Sequence, residues 1–396
     1  MRLLIVQYAG DYREAFERFA EGKGETYSAQ KYSVDAVAEI GKLMEEVTVI
    51  CCFTAEPYDR VLANGVRAIG AGFQGKKIPM KNLLRLIAEQ KPTHLVLRTP
   101  IREIFQWAIR HKVKTIATLA DSFSTQGLRN TIKNYWLASL LNNNQIEWIG
   151  NHGINSCLSL QKIGVKPSKI IPWDFPSTVT PDFFEPKTLP VGKKTWNLVY
   201  IGSITESKGV GDVIEAVAKL KAKNLSVNLK IAGQGEVAEF TQQAQKLQVS
   251  DSVEFLGLLE NNRVVHLMRE ADLVVIPSHH EYAEGFPITI NEALCSQTPI
   301  IASDHPMFKN NLKHRENAMI FSARDSTDLG AQIENLLSDS PLYKSISLAT
   351  ADAWKRLQIP VKWALMIERW IADSEENRQW LLEHALSSGL YHSRSE

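Results

Sequence analysis

Short apolar runs alternate along the chain with stretches in which apolar residues recur at the helical period. In the first half, LLIVQY (3–8), VTVICCF (47–53), HLVLRT (94–99), KTIATLA (114–120) and EWIGN (147–151) read as strands. Between them SVDAVAEIGKLMEE (33–46) and MKNLLRLIAEQ (80–90) carry the 3.6-residue spacing of helices. That order predicts βαβ units on a parallel sheet. The alternation restarts with WNLVYIG (196–202), NLKIAG (228–233), SVEFLG (252–257), DLVVIP (272–277) and PIIAS (299–303), and GVGDVIEAVAKLKA (209–222) reads as a helix. Between the two series Pro172, Pro176, Pro181, Pro186 and Pro190 punctuate residues 171–190, a stretch predicted to hold no regular ladder and to connect two domains. The segment WALMIERWIADSEENRQWLLEHAL (363–386) reads as a helix whose apolar face must pack on a domain.

Composition narrows the classes. A chain of 396 residues is long for one core and predicts two domains of ordinary size. A net charge of +1 lacks the basic excess of a dedicated nucleic-acid binder, so no nucleic-acid partner is expected. Cys51, Cys52, Cys157 and Cys295 show neither metal-ligand spacing nor a disulfide framework, as expected of reduced thiols in the cytoplasm. MRLLIVQYAG reads as a strand and loop, not a secretory leader, and no run approaches the length of a membrane span. The expected location is cytoplasmic, with peripheral contact at the inner face of the membrane left open.

Chemistry concentrates in HHEYAEGFPITINEAL (279–294), which follows a predicted strand and opens a helix at Pro287, where a missing N–H costs nothing. The first N–H groups of that helix, around Ile288 and Thr289, lack intrahelical partners and sit at the positive end of its dipole, an anion site suited to phosphate. Glu292 lies four residues beyond Ile288, on the same face about one turn (roughly 5.4 Å) further along. With a diphosphate at the helix start, Glu292 falls beside a ribose and Glu284 faces a sugar on the other side. Gly285 lets the backbone approach closely. The two acids bracket a nucleotide-sugar.

EGFPITINEALCSQTPIIASD (284–304) closely resembles the E-x7-E signature of the family-4 retaining glycosyltransferases, with Ser296 or Gln297 where that family usually has glycine. LVYIGSITESKGVGDVIEAVAKLK (198–221) is similar to the family's strand, Gly-Arg-x-x-x-x-Lys-Gly loop and helix. The resemblance implies that Lys208 holds the diphosphate after Gly202, with Ser203 in place of the usual Arg. A lysine at a strand end also supplies the charge that stabilises a departing diphosphate. IAGQGEV (231–237), with Gly233, resembles the family's glycine turn, and VEFLGLL (253–259), with Phe255 and Leu256, the segment whose backbone meets the nucleobase. The resemblance extends over nearly the whole chain.

In the first half KTIATLADSF (114–123) occupies a strand-end position where the family has His before Asp; Ala120 precedes Asp121 here, so that either Asp121 takes over the hexose contact or the pocket is altered there. Arg98 is a candidate for the missing positive charge. The glycine-rich loop after the first strand is reduced to Gly10, beside Asp11, in an expected acceptor pocket. Two basic, partly aromatic stretches, GKKIPMKNLLRLI (75–87) and LRNTIKNYWLASLL (128–141), suit either an anionic bilayer or packing on their own sheet, and the second is favoured.

The resemblance implies the GT-B fold: two Rossmann-like α/β domains whose parallel sheets face a cleft, with the C-terminal helix packing back on the first. The domains expected are an acceptor domain over 1–185, a nucleotide-sugar donor domain over 190–370 and a helical tail over 371–396. The catalytic candidates are Glu284, Lys208 and Asp121; Gly285, Phe286, Pro287, Ile288, Thr289 and Glu292 complete the donor site. The expected function is retaining, metal-independent transfer of a hexose, glucose from UDP-glucose, to a glycan or lipid-linked acceptor in cell-envelope polysaccharide assembly. No cofactor is expected beyond the UDP-linked donor. A nucleotide-sugar 2-epimerase of the same architecture and a non-catalytic nucleotide-sugar-binding module are the alternatives.

Overall fold

The computed structural model describes residues 1–27, 29–74, 77–123, 127–282, 284, 288–309 and 311–391. The chain divides into two compact units, one of Met1–Lys23, Ala29–Pro176 and Ile359–Glu396, the other of Gly24–Ser28 and Ser177–Gln358.

The first unit is built on β1 (Arg2–Gln7), β2 (Glu46–Cys51), β3 (Tyr58–Val61), β4 (Arg67–Gly70), β5 (His94–Leu97), β6 (Lys114–Leu119), β7 (Ile146–His152) and β8 (Ile170–Trp173). Their order is β3-β4-β2-β1-β5-β6-β7-β8, and only β3 runs antiparallel to its neighbour. Both faces of the sheet are covered: Leu4, Val6 and Ile50 belong to one core, Leu3, Ile5 and Val49 to the other. Double coverage is why these strands read as unbroken apolar runs.

The second unit holds β9 (Thr195–Ile201), β10 (Ser226–Ala232), β11 (Val253–Gly257), β12 (Leu273–Ile276), β13 (Ile300–Ser303) and β14 (Met319–Phe321). All pairs are parallel, in the order β11-β10-β9-β12-β13-β14. This is the doubly wound 3-2-1-4-5-6 arrangement, in which successive strands are added in one direction and then in the other. The direction switches between β9 and β12, so the loops leaving these two strands diverge and open a crevice at their carboxyl ends.

Three readings of the sequence change. The proline-punctuated stretch does hold a ladder: Ile170–Trp173 pairs in parallel with Ile149–His152. Pro172 is tolerated because β8 is an edge strand, where the N–H it lacks would have faced away from the sheet. The last helix is two, Trp363–Ala372 and Glu375–Glu383. They are separated by Asp373 in the left-handed conformation (φ 47°) and restarted by Ser374, whose hydroxyl accepts from the Asn377 N–H. The chain returns to the first unit at Ile359, earlier than the sequence placed it. Trp363, Met366, Ile367 and Trp370 are buried there in the core that contains Leu3 and Ile5.

All four cysteines are buried and unbridged. Among the described residues no helix is long and apolar enough to cross a membrane.

Candidate functional site

At the crossing point of the second sheet lies a cavity of about 170 Å³. Its walls are Tyr200 and Ile201 from the end of β9, Ile276, Pro277 and Ser278 from the end of β12, and Lys208, Glu284, Ile288 and Thr289 from the loops and the helix that follow. The volume is that of a fragment site rather than of a whole nucleotide. The sequence candidates Lys208, Glu284, Ile288 and Thr289 therefore meet in one place, although 76 positions separate Lys208 from Glu284.

Close backbone packing delivers Lys208. It ends a short turn, Glu206–Lys208, and Gly209 then starts the helix Val210–Ala222 with φ +72°. A Cβ on Gly209 would stand 2.2 Å from the carbonyl oxygen of Pro277, so only glycine lets the loop after β9 touch the end of β12. Gly233 does the same on the other side, where a Cβ would fall 1.8 Å from the Gly202 carbonyl oxygen. Gly202 N–H donates to Ala232 O and Gly233 N–H to Gly257 O, so the loops after β9, β10 and β11 are stitched in sequence. The glycine turn in IAGQGEV is thus a packing requirement.

Lys208 Nζ donates to Glu284 Oε1 at 2.6 Å, and the same oxygen accepts from Ser278 Oγ at 2.6 Å. The two charged side chains are only 16% and 9% exposed. The ammonium also lies 4.2 Å from the centroid of the Tyr282 ring. Among the described residues lining the cavity Lys208 is the only cation.

The loop carrying Glu284 is held by groups that sequence reasoning passed over. His279 N–H donates to Ser207 O at 3.0 Å, and its Nε2 lies 2.7 Å from Asp212 Oδ2. His305 Nδ1 accepts from the Met307 N–H at 3.1 Å, which leaves the proton on Nε2 to donate to Tyr282 O at 3.1 Å. Burial holds the His305 pKa below its ordinary value, consistent with that neutral tautomer. Ser303 Oγ donates to Ser278 O at 2.6 Å. Ser278 and His279, polar residues directly after a buried strand, were the one local signal, and it does not by itself reveal their partners.

The helix Ile288–Cys295 presents its first turn to the cavity through Ile288 and Thr289. Gly285, Phe286 and Pro287 lie outside the described residues. Glu292 sits further along this helix, half-buried, and desolvation pushes its carboxyl up to about 8. No side-chain hydrogen bond satisfies it among the described residues. Gln297, where the resembled family has glycine, adopts φ 54° and donates to Pro181 O at 2.8 Å and Phe184 O at 2.5 Å. These bonds offset the cost of a side chain in the left-handed region and explain how glutamine replaces glycine at this helix end.

Other donor candidates flank the cavity. Ser203 is exposed, and its carbonyl accepts from Tyr200 OH at 2.6 Å. Phe255 and Leu256 lie on edge strand β11, where the register with β10 shifts so that Gly257 pairs with Ala232.

The remaining candidates belong to the first unit. Asp121 follows β6; its N–H donates to Asn151 Oδ1 at 3.2 Å, and burial raises its carboxyl pKa. Asp11 caps the helix Tyr12–Ala20 by accepting from the Glu14 N–H, and it also accepts from Tyr58 OH. Tyr12 beside it is buried, and its hydroxyl donates to Val34 O at 2.9 Å. Gly10, with φ 84°, offers its carbonyl to the Gln7 amide. The Arg98 guanidinium lies 5.0 Å from the Trp363 ring centroid. This end of the first sheet is polar, but Asp11 is occupied as a cap.

Residues 182–352 match the family described as Glycosyl transferases group 1, a match confined to the second unit. Glycogen synthase of Mycobacterium tuberculosis is 29% identical over 143 residues, 36% of this chain and 34% of that protein. Phosphatidyl-myo-inositol mannosyltransferase of Mycolicibacterium smegmatis is 28% identical over 146 residues, 37% of each. The chain thus matches little more than a third of the length of these relatives. Among solved structures, sucrose-phosphate synthase from Thermosynechococcus elongatus superposes with a TM-score of 0.67 at 15% identity, over 94% of this chain and 98% of that one. Anabaena HepE in complex with UDP superposes with a TM-score of 0.64 at 15% identity, over 94% and 99%. The fold is GT-B, and the likeness over the first unit is one of fold.

Proposed function

We propose that the chain is a retaining glycosyltransferase that moves a hexose, glucose from UDP-glucose, to a hydroxyl of a glycan or lipid-linked acceptor in cell-envelope polysaccharide assembly. The observation that carries this reading is the paired Lys208 and Glu284 at the crossing point of a doubly wound sheet, beside the start of a helix. The relatives named above support sugar transfer, and HepE, solved with UDP and with UDP-glucose, supports a UDP-linked donor.

In this reading the diphosphate lies against the first turn of Ile288–Cys295 and draws the Lys208 ammonium toward itself. Lys208 and the helix dipole then carry the charge that grows on the leaving group, so no divalent ion is required. The ribose hydroxyls donate to Glu292, and the β11 backbone at Phe255 and Leu256 meets the base. Glu284, freed from Lys208, faces the hexose. The acceptor oxygen bonds to the anomeric carbon as the bond to the diphosphate oxygen breaks with its electron pair. The acceptor proton passes to that departing oxygen on the same face, which preserves the configuration.

The test is release of UDP from UDP-glucose across a panel of saccharide and lipid-linked acceptors, with the product anomer read by NMR. Acceptor-dependent release with an α-linked product is expected. Binding without transfer or hydrolysis of any nucleotide-sugar contradicts an enzymatic role.

A further inference from the structure

The helix Leu128–Leu141 has two apolar faces. Leu137, Ala138 and Leu141 are buried against the first unit, whereas Leu128, Ile132, Tyr135 and Trp136 are 84%, 60%, 69% and 58% exposed. The exposed four stand at i, i+4, i+7 and i+8, one continuous stripe. Apolar residues scattered singly on a surface need no account, but an aligned stripe ending in Tyr and Trp does. Arg129 and Lys133, on the same half of the helix, are exposed and have no ion-pair partner among the described residues.

The sequence that carries this stripe is basic. From Lys77 to Leu141 the chain has eleven Lys and Arg against three Asp and Glu, a net charge of +8, while the whole chain carries +1; of these, Lys114 is paired with Asp373. The helix Met80–Glu89 packs on Arg102–His111, which packs on Leu128–Leu141, so the three form one layer. Lys81, Arg85 and Arg110 are exposed on it.

We infer that the Leu128–Trp136 stripe is an interfacial anchor that docks the first unit on an anionic lipid bilayer. Tyr and Trp rings partition to the headgroup level, and lysines and arginines gain from the negative surface potential of anionic lipids. A second copy of the chain fits less well, because pairing this face with itself would bring two strongly basic surfaces together. The helix leads from the end of β6 to the start of β7, so its first turns lie at the edge of the sheet where Asp121 sits. A lipid-linked acceptor, if the proposed function holds, would be presented at that edge; the docking itself does not depend on it.

The experiment is flotation of the full chain with vesicles of phosphatidylcholine alone and with about one-third phosphatidylglycerol. Binding to the anionic vesicles only, weakened by added salt, is expected. Ile132→Ser with Trp136→Ser, and separately Arg129→Gln with Lys133→Gln, should each weaken it about tenfold or more while leaving the circular dichroism and thermal midpoint unchanged. All four positions are exposed, so loss of fold is not a competing explanation. No binding to anionic vesicles at low salt, or equal binding by the Ile132/Trp136 variant, overturns the inference. A dimer that this variant dissolves into monomers, without vesicle binding, overturns it in favour of self-association. UDP affinity, measured in parallel, reports on the proposed function independently.

Discussion

Lys208 Nζ and Glu284 Oε1 are 2.6 Å apart, almost shielded from solvent, with Ser278 Oγ on the same carboxylate oxygen. Among the described residues the cavity's one lining cation is thus neutralised, and in the proposed reading a diphosphate would compete with Glu284 for it. Under the proposed function that exchange would tie donor binding to release of Glu284.

Different consequences follow for the two partners. Lys208→Ala strands a buried carboxylate, a change that typically costs about 3–5 kcal/mol. Its thermal midpoint should fall, and the double variant Lys208→Met/Glu284→Gln should recover much of the loss. Glu284→Gln should bind UDP at least as tightly as the wild type, because the lysine is no longer claimed, yet lose roughly a hundred- to a thousand-fold in turnover. Calorimetry and UDP-release kinetics separate the two effects; wild-type turnover in Glu284→Gln would remove this residue from the mechanism.

Glu292 gives a pH signature. Its folded pKa of about 8 lies above the ordinary carboxylate range because of desolvation. The native state therefore holds a proton that the unfolded chain has released. Stability from this group is complete below the ordinary carboxylate range and is lost as pH rises toward 8. Glu292→Gln should match the wild type in acid and exceed its thermal midpoint increasingly toward pH about 8. Ribose hydroxyls favour the ionised carboxyl, so UDP binding near neutrality should release a proton, seen as a buffer-dependent calorimetric enthalpy. Binding without proton release contradicts the ribose contact.

Gly209→Ala probes the contact that shapes the cavity. A left-handed alanine costs about 1–2 kcal/mol by itself. At Gly209 the added Cβ also meets Pro277 O at 2.2 Å, whereas at Gly192, with φ +74°, nothing lies within 4 Å. Gly209→Ala should lower both the thermal midpoint and UDP affinity, and Gly192→Ala should change the midpoint slightly and affinity not at all.

Trp363→Ala tests the return of the chain to the first unit. The ring is fully buried beneath Arg98, and its loss should cost about 3–5 kcal/mol. Hydrogen exchange of β1 and β6 amides should accelerate accordingly. Unchanged protection would mean that the segment from Ile359 onward is not part of that core.

Most of the fold was legible because both sheets are covered on two faces, and buried parallel strands announce themselves as apolar runs. What escaped was marginal by that signal. β3 is an exposed edge strand, β14 is three residues long, and Pro172 made β8 look like linker. The break at Asp373 was hidden because apolar spacing runs across it. Of the residues gathered at the cavity, Glu284 and the helix start at Ile288 were readable from local spacing, and Lys208 only through the resemblance of its loop to the family's Lys-Gly loop. Ser278, His279, Asp212 and His305 were not, since their roles exist only after β9, β12 and β13 lie side by side. Asp11 shows the reverse, a polar loop residue consumed as a helix cap.

The most direct measurement is a crystal structure of the chain soaked with UDP. The account predicts diphosphate density at the first turn of Ile288–Cys295, within hydrogen-bonding reach of Lys208, with the ribose beside Glu292. Ordered UDP elsewhere on the chain, with the Lys208–Glu284 pair undisturbed, would contradict it.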